Sequence, residues 1–493
     1  MKPLFWRSTG LGLSLFFTLP IMADDPRPLL RDVMETLQVS NCVAKMSKVE
    51  KVFAGMTPEA HLKELSAQKT TELGQEIWDF KLKVHEKLRE FHRADRLERD
   101  CANAYRGALR AVRFAEDLVQ EHQLRHNPEK TPFPSSAFAE GNPHVKRNPA
   151  FGNFDLKKDL KSGDVLLTRG NAYTSAAIAS LGEFDTQFSH MSLVYVDPQG
   201  KIWTVEAHIE VGSFVRPLED HIKDNNFRTM IFRYDDPVLA AKAAEFAFQK
   251  VKAASDSKRG NIFYDFGFDN EDHQQLFCSE VVTWAFKEMS KGAVKLPMWQ
   301  SRLLLRKESF VRDIGITASE SFVPADIEVE PRFTIIAEWR DANRINDSHE
   351  KDAVLQAMFK WAEDYDYKMQ QASSRTSLIY RNVAWPLRRV PGLKKYFKDK
   401  LPINMSRELI GYFGVLESVA EFLQKELSKK NQETVKARNL PLLRDEMYYF
   451  LDELRLKDVG SKSKPMHKMY RPRDIKAEAG GKGEGWADAP PAP

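Results

Sequence analysis

Cysteine is scarce in this chain of 493 residues: there are three, Cys42, Cys101 and Cys278. Two can pair and leave one over, so a dense disulfide framework is excluded and one thiol stays free. Charge of one sign is also in short supply. The net charge is +4, a balance that does not point to nucleic acid as a partner. Beyond the first residues no segment is long and apolar enough to cross a membrane. No glycine-rich phosphate loop stands between a strand and a helix, and there is no internal repeat. His122 and His126 lie four apart on a helix, but no third or fourth ligand accompanies them. A solvated helix face is therefore favoured over a metal site, and no cofactor is expected.

The start of the chain has the pattern of a secretory signal, residues 1–23. Lys2 and Arg7 form a basic opening, Leu11–Ile21 an apolar middle, and Ile21-Met22-Ala23 a cleavage edge before Asp24-Asp25. The apolar stretch is short for a full span, which favours cleavage over an uncleaved anchor. No cysteine follows the stretch to carry a lipid. Removal of Lys2 and Arg7 leaves a net charge of +2. The mature protein is thus expected in the periplasm or secreted. There a bridge between Cys42 and Cys101 would close a loop of about 60 residues and add about 4 kcal/mol in the chain-entropy description. Two buried free thiols are an equally open alternative.

The chain divides by pattern into a helical N-terminal region with a linker (24–150), a mixed region (151–340), a second helical region (341–460) and a disordered tail rich in Lys, Gly, Ala and Pro (461–493). Thr57-Pro58 has the form of a helix opening. Leu73, Ile77, Phe80, Val84, Leu88 and Phe91 then recur every three or four residues along one buried face. A second helical run covers roughly 101–122, and Pro, Asn and Gly crowd 127–153 as a linker. In the mixed region Val165–Leu167, Met191–Val196 and Ile202–Val205 are short apolar segments bounded by turn residues, which predicts strands. Further on, Asp347-Ser348 is a candidate cap for a helix bearing Val354, Met358 and Trp361, and Leu409, Leu416, Val419 and Leu423 mark another apolar stripe.

The chemistry concentrates in the mixed region. Side chains alternate along a strand, so His190, Ser192, Val194 and Val196 share a face. If Pro198-Gln199-Gly200 is a three-residue hairpin loop, Asp197 pairs with Lys201. His190 then stands opposite His208 with Glu206 diagonal to it, a placement that a one-residue slip would destroy. In that register Glu206 or His208 can bind one imidazole nitrogen of His190 and leave the other as a base. Cys278, in Phe277-Cys278-Ser279-Glu280-Val281-Val282, precedes the amphipathic run Val281, Val282, Ala285, Phe286 and Met289. A thiol at a helix N-terminus feels the positive dipole end, so its pKa is expected to fall, and main-chain N–H groups there can hold an oxyanion. A free thiol in an oxidising compartment is a liability unless it reacts, which points to a cysteine nucleophile.

These residues occur in a recognisable order. Lys161-Ser162-Gly163-Asp164-Val165-Leu166-Leu167 comes first, then Phe188-Ser189-His190-Met191-Ser192-Leu193-Val194. Val205-Glu206-Ala207, Tyr264-Asp265 and the Cys278 motif follow, with Phe322-Val323-Pro324-Ala325-Asp326 after them. Over about residues 155–340 the chain resembles the NlpC superfamily of papain-like cysteine hydrolases, in the circularly permuted YiiX/YaeF-like branch. The resemblance implies an α+β fold, a permuted papain-like domain whose antiparallel sheet packs on helices, here flanked by N- and C-terminal helical regions. It also implies Cys278 as nucleophile, His190 as general base then acid, and Glu206 as the residue orienting His190. Tyr264, Ser279 and His208 are expected in the substrate cleft.

The leading expectation is an exported hydrolase of amide bonds acting on cell-wall peptides, the usual substrates of that superfamily. A second is a lipid acyl hydrolase or acyltransferase, since the permuted layout is similar to lecithin retinol acyltransferases. A third is a non-catalytic scaffold using its helical arms. The basic, aromatic stretch 381–400, with Arg381, Trp385, Arg388, Arg389, Lys394 and Lys395, is a candidate for peripheral contact with an anionic membrane or cell wall, against a solvated loop as the alternative.

Overall fold

The computed structural model describes residues 25–57, 61–62, 65–126, 145–182, 186–224, 226–258, 260–271, 273–303, 315–341, 344–371, 374–388, 390 and 404–472. The expected signal segment lies outside them. The helices wholly within the described residues at the start are α1 (Arg27–Thr36), α2 (Cys42–Ala54), α3 (Ala67–Arg93) and α4 (Arg99–His126). The periodic apolar face read from Leu73 to Phe91 lies on α3 and is buried throughout. Its helix opens at Ala67, capped by Ser66, whose Oγ accepts the Lys69 N–H at 3.3 Å. Pro58 of the expected Thr57-Pro58 opening lies outside the described residues, while the His61 N–H donates to the Thr57 carbonyl at 3.0 Å, as in a helical turn. Cys42 on α2 and Cys101 on α4 form a disulfide with Cα atoms 5.6 Å apart, which decides between the two alternatives left open above. His122 is 5 % exposed and therefore not on a solvated face; the side chain of His126 lies outside the described residues.

The centre is a seven-stranded antiparallel sheet. Its strands are β1 (Lys146–Arg147), β2 (Val165–Arg169), β3 (His190–Val196), β4 (Ile202–His208), β5 (Gly212–Pro217), β6 (Arg228–Tyr234) and β7 (Phe333–Arg340). They lie side by side in the order β1-β7-β6-β2-β3-β4-β5. β1 falls within the expected linker: its two residues pair with Glu338 and Ala337 at the sheet edge. Helix α5 (Tyr173–Ala179) follows β2, α6 (Pro237–Asp256) follows β6, and α7 (Cys278–Met289) packs on α6 and on β3 and β4. Gly163, just before β2, has φ +93°, and a Cβ there would meet Ala240 of α6 at 2.4 Å. Both the turn and the approach of α6 require glycine at that point.

The β3–β4 hairpin sets the register. Leu193 pairs with Val205, Val194 with Thr204 and Val196 with Ile202. The Asp197 N–H donates to the Lys201 carbonyl at 2.9 Å, and Gly200 closes the turn at φ +81°. This is the three-residue loop expected from Pro198-Gln199-Gly200.

C-terminal to the sheet come α8 (Ile345–Tyr365), strand β8 (Tyr367–Met369), α9 (Arg375–Ile379), α10 (Arg407–Arg438), α11 (Arg444–Gly460) and strand β9 (Tyr470–Pro472). α9 continues through a π-helical turn, Tyr380–Ala384, to Leu387. Asp347 and Ser348 do not cap α8, which already begins at Ile345. Asp347 instead pairs with Lys351 one turn along, at 2.7 Å. Residues 461–472 do not belong to a disordered tail: β9 pairs with β8, and Met466 and Tyr470 are wholly buried. Residues 473–493 lie outside the described residues. One continuous apolar cluster joins sheet residues such as Met191 and Val205 to Trp361 of α8, Leu423 of α10 and Leu451 of α11.

Candidate active site

His190 opens β3 and Glu206 stands near the end of β4, so the hairpin register alone brings them together. His190 Nε2 donates to Glu206 Oε2 at 3.0 Å, which leaves Nδ1 as the nitrogen with a free lone pair. His208 Nε2 reaches the same oxygen at 2.9 Å, and the two imidazoles meet edge to face with centroids 4.6 Å apart. Glu206 itself is completely buried.

The other oxygen of Glu206 is held by groups that sequence reasoning missed. Arg216 Nε donates to Oε1 at 2.8 Å and its Nη2 reaches Oε2 at 3.0 Å. His221 Nδ1 lies 3.0 Å from Oε1, and the Thr204 hydroxyl also donates there. Arg216 is paired with Thr204 across β4 and β5, so strand alternation would have placed it on the Glu206 face had the second hairpin been read. Arg216 also pairs with Asp224. Two triads, His190–Glu206–His208 and Glu206–His221–Asp224, have donor atoms within 4.8 Å of each other and invite a comparison with metal sites. Arg216 already supplies a positive charge to both acids, which disfavours a cation at the same place.

Cys278 is the first residue of α7. The Glu280 carboxylate accepts the Phe277 N–H at 3.2 Å, fixing the helix start, and His273 Nδ1 holds the other oxygen of Glu280 at 2.7 Å. Cys278 and His190 both line a cleft of about 530 Å³ together with His208, Tyr264, Ile209 and Asp224. Tyr264 therefore borders the cleft as expected. Ser279 does not: it is fully buried, with Oγ 3.9 Å from Cys278 Sγ. A helix side chain one position along points a hundred degrees away, so only one of two neighbours can face the cleft.

Burial dominates the proton affinities. It pushes the Cys278 thiol up, against hydrogen bonds from Ser279 and from the main chain at Met191, Ser279 and Cys278 that favour the thiolate. The drop expected from the helix dipole is thus outweighed by desolvation at a residue 2 % exposed. Burial also lowers His190 from 6.5 to about 4, with the Glu206 hydrogen bond opposing it. For His208 burial works in the same direction, but the bond to Glu206 and its charge outweigh it and raise the pKa. Glu206 is held well below the usual carboxylate range: its burial is overcome by His221, His190 and His208. The resting pair is a neutral thiol beside a neutral imidazole, with a second imidazole nearby that favours its charged form.

Residues 159–336 match the family model described as permuted papain-like amidase enzyme, YaeF/YiiX, C92 family. The match spans somewhat over a third of the chain and includes Cys278, His190 and Glu206. No curated protein and no solved structure matches the chain. At the level of reaction class the match supports a hydrolase of the amidase type. The seven-stranded antiparallel sheet with α6 and α7 packed on it is the corresponding α+β architecture. Over residues 159–336 the chain is thus similar to the permuted papain-like amidases of the YaeF/YiiX, C92 family.

Proposed function

We propose that this protein is an exported cysteine hydrolase that cleaves amide bonds with Cys278 as nucleophile, His190 as base then acid, and Glu206 as the group that orients His190. The observation that carries the reading is a cleft lined by both Cys278 and His190, with Glu206 accepting from Nε2 of that imidazole at 3.0 Å. Nδ1 then takes the thiol proton as sulfur attacks the carbonyl carbon, and the carbonyl electron pair moves to oxygen. Main-chain N–H groups at the start of α7 are donors of the kind that hold such an oxyanion. His190 returns the proton to the departing amine. Water, deprotonated by His190, releases the acid and restores the thiol. Because both resting groups are neutral, the proton moves with the attack and not before it.

The cationic tendency of His208 favours substrates with an anionic group near the scissile bond, which suits peptidoglycan-derived peptides carrying free carboxylates. The Cys42–Cys101 disulfide supports an oxidising compartment, consistent with cleavage of the 1–23 signal and a periplasmic or secreted mature protein. The decisive experiment sets digests of cell-wall peptides beside a panel of fluorogenic acyl esters, with wild type and Cys278→Ala. Release of amines from peptides by wild type alone is expected. Turnover only of acyl esters would replace the peptide reading with the lipid acyl one, and wild-type function surviving in Cys278→Ala would favour the scaffold.

A further inference from the structure

The helical run from Arg375 to Leu387 is apolar on the wrong side. Its inner side takes Trp385 and Arg388, two of the residues expected at a surface; Arg389, Lys394 and Lys395 lie outside the described residues. Trp385 Nε1 and Arg388 Nη2 both donate to the Met405 carbonyl, at 3.3 and 2.8 Å, and Arg388 is buried. Tyr380, Ala384 and Trp385 pack with Met405, Leu409 and Ile410. The outer face instead shows Leu378 at 38 %, Ile379 at 55 % and Val383 at 51 % exposure, followed by Val390 at 41 %. Ten large hydrophobic residues are exposed among the described residues, and four of them fall between 378 and 390. Scattered exposed leucines and valines are ordinary; such a concentration on one short element is not.

Arginines border this stripe: Arg381 lies within the run, while Glu417 of α10 accepts from the Tyr380 hydroxyl on its inner side at 3.4 Å. Arg375 is exposed beside the stripe, and exposed Arg407 donates to the Arg381 carbonyl at 3.3 Å along its flank. The element also touches the cleft wall from behind. Its packing partners include Ile209, which lines the cleft, and Phe266, whose ring lies 5.3 Å from that of Tyr264. Asn404 Nδ2 donates to the Tyr264 carbonyl at 2.7 Å.

We infer that this stripe docks on the surface of an anionic lipid bilayer and holds the cleft at that surface. Exposed apolar side chains bordered by Arg375, Arg381 and Arg407 match acyl chains beneath anionic headgroups. A second copy of this chain fits less well, because a two-fold contact would set the arginines of both copies against each other. A polyanionic wall polymer would answer the charge and leave the apolar stripe uncovered. The docking goes beyond the hydrolase reading and does not depend on Cys278.

Co-sedimentation of the mature full chain with vesicles of phosphatidylglycerol and phosphatidylcholine, beside phosphatidylcholine alone, tests it. Wild type and Cys278→Ala are expected to pellet equally with the anionic vesicles and weakly with the neutral ones. The double variant Ile379→Asp/Val383→Asp is expected to partition at least about tenfold less while turning over soluble amide substrates like wild type. Val390→Asp, beyond the helix, serves as a second variant if the double one melts early. Wild type that stays in the supernatant at low salt would overturn the inference, as would unchanged pelleting of the folded variants. So would a wild-type dimer in light scattering that these variants abolish without any vesicle binding, or binding to isolated wall material alone. Vesicle binding by a protein with no hydrolytic activity would leave the docking intact and remove the hydrolase reading.

Discussion

Two buried carboxylate centres, built from the same kind of acid, are put to different uses in this molecule. One is Glu206, ringed by His190, His208, His221, Thr204 and Arg216 at the edge of the cleft. The other joins the flanking helices to the sheet. There Arg228 of β6 grips both oxygens of Asp117 of α4 at 2.6 Å, His349 of α8 adds a bond at 3.0 Å, and Arg340 of β7 pairs with Glu338 at 2.7 Å and with Glu116. Lys81 of α3 binds Glu116 and Glu338, Arg113 binds Glu328, and Arg169 binds Asp352. These five cations face five acids, so the centre is neutral as a whole. Arginine and lysine keep their protons at any working pH, whereas imidazole exchanges them. The arginine-rich centre therefore locks α3, α4 and α8 onto β6 and β7, while the histidine-rich one is suited to moving a proton. Burial of an acid does not distinguish function from architecture here; the pKa of its partners does.

The largest expected effect tests that contrast directly. Glu206→Gln keeps the shape but loses the charge that orients His190, and kcat/KM should fall about a hundred- to ten-thousand-fold. Asp117→Ala should behave in the opposite manner. It leaves Arg228 buried without its main partner, costing about 3–5 kcal/mol in urea unfolding, with specific activity of the folded fraction preserved. An Asp117 variant that stays stable and loses turnover would erase the distinction between the centres.

The pH dependence comes next in size. An unperturbed imidazole titrates near 6.5, and His190 is held at about 4, so kcat/KM should persist well below pH 6 and its acid limb should fall near 4. The sign for stability follows from the same shift. A depressed folded pKa means the unfolded chain binds the proton first, so the contribution of His190 is present above about 6.5 and is lost as pH falls towards 4. His208, raised, works the other way: its contribution is full below 6.5 and is lost as pH rises through its folded value. Chemical denaturation across pH 4–8 in wild type and His208→Asn separates the two slopes. Asp117 adds a slope only at the acid end of that window, below about pH 5, where the unfolded carboxyl begins to bind a proton, because burial is outweighed by Arg228 and His349 and its folded pKa stays below the ordinary 3.8. The smallest effect concerns Cys278 alone. With burial holding the thiol up, iodoacetamide labelling of the free protein, mapped by mass spectrometry, should stay slow at neutral pH and quicken only above the ordinary thiol value of 9. Rapid labelling below pH 8 that His190→Ala slows would show that the thiol is activated before substrate arrives.

Much of this site was legible before any coordinates. Strand alternation and a turn with proline and glycine at fixed positions are local rules, and they placed His190 beside Glu206 and His208. The apolar run after Cys278 located the helix start, and the motif order identified the domain. What local rules could not supply is what arrives from elsewhere in the chain. Arg216 and His221 reach Glu206 through a second hairpin whose turn carries no strong signal, and Asp117 meets Arg228 across 111 residues. The direction of the Cys278 shift was misjudged for the same reason: a helix dipole is readable from position, whereas desolvation depends on everything that packs around the thiol. The stretch from 381 likewise advertised its basic and aromatic residues, yet packing turned Trp385 and Arg388 inward and left Leu378, Ile379 and Val383 outside. By itself the sequence determined the strand register, the start of α7 and the order of the site residues, because those follow from backbone geometry over a few positions. Burial, and with it every proton affinity and every exposed face, was decided only by the tertiary structure, because water is excluded by the whole fold and not by any one segment.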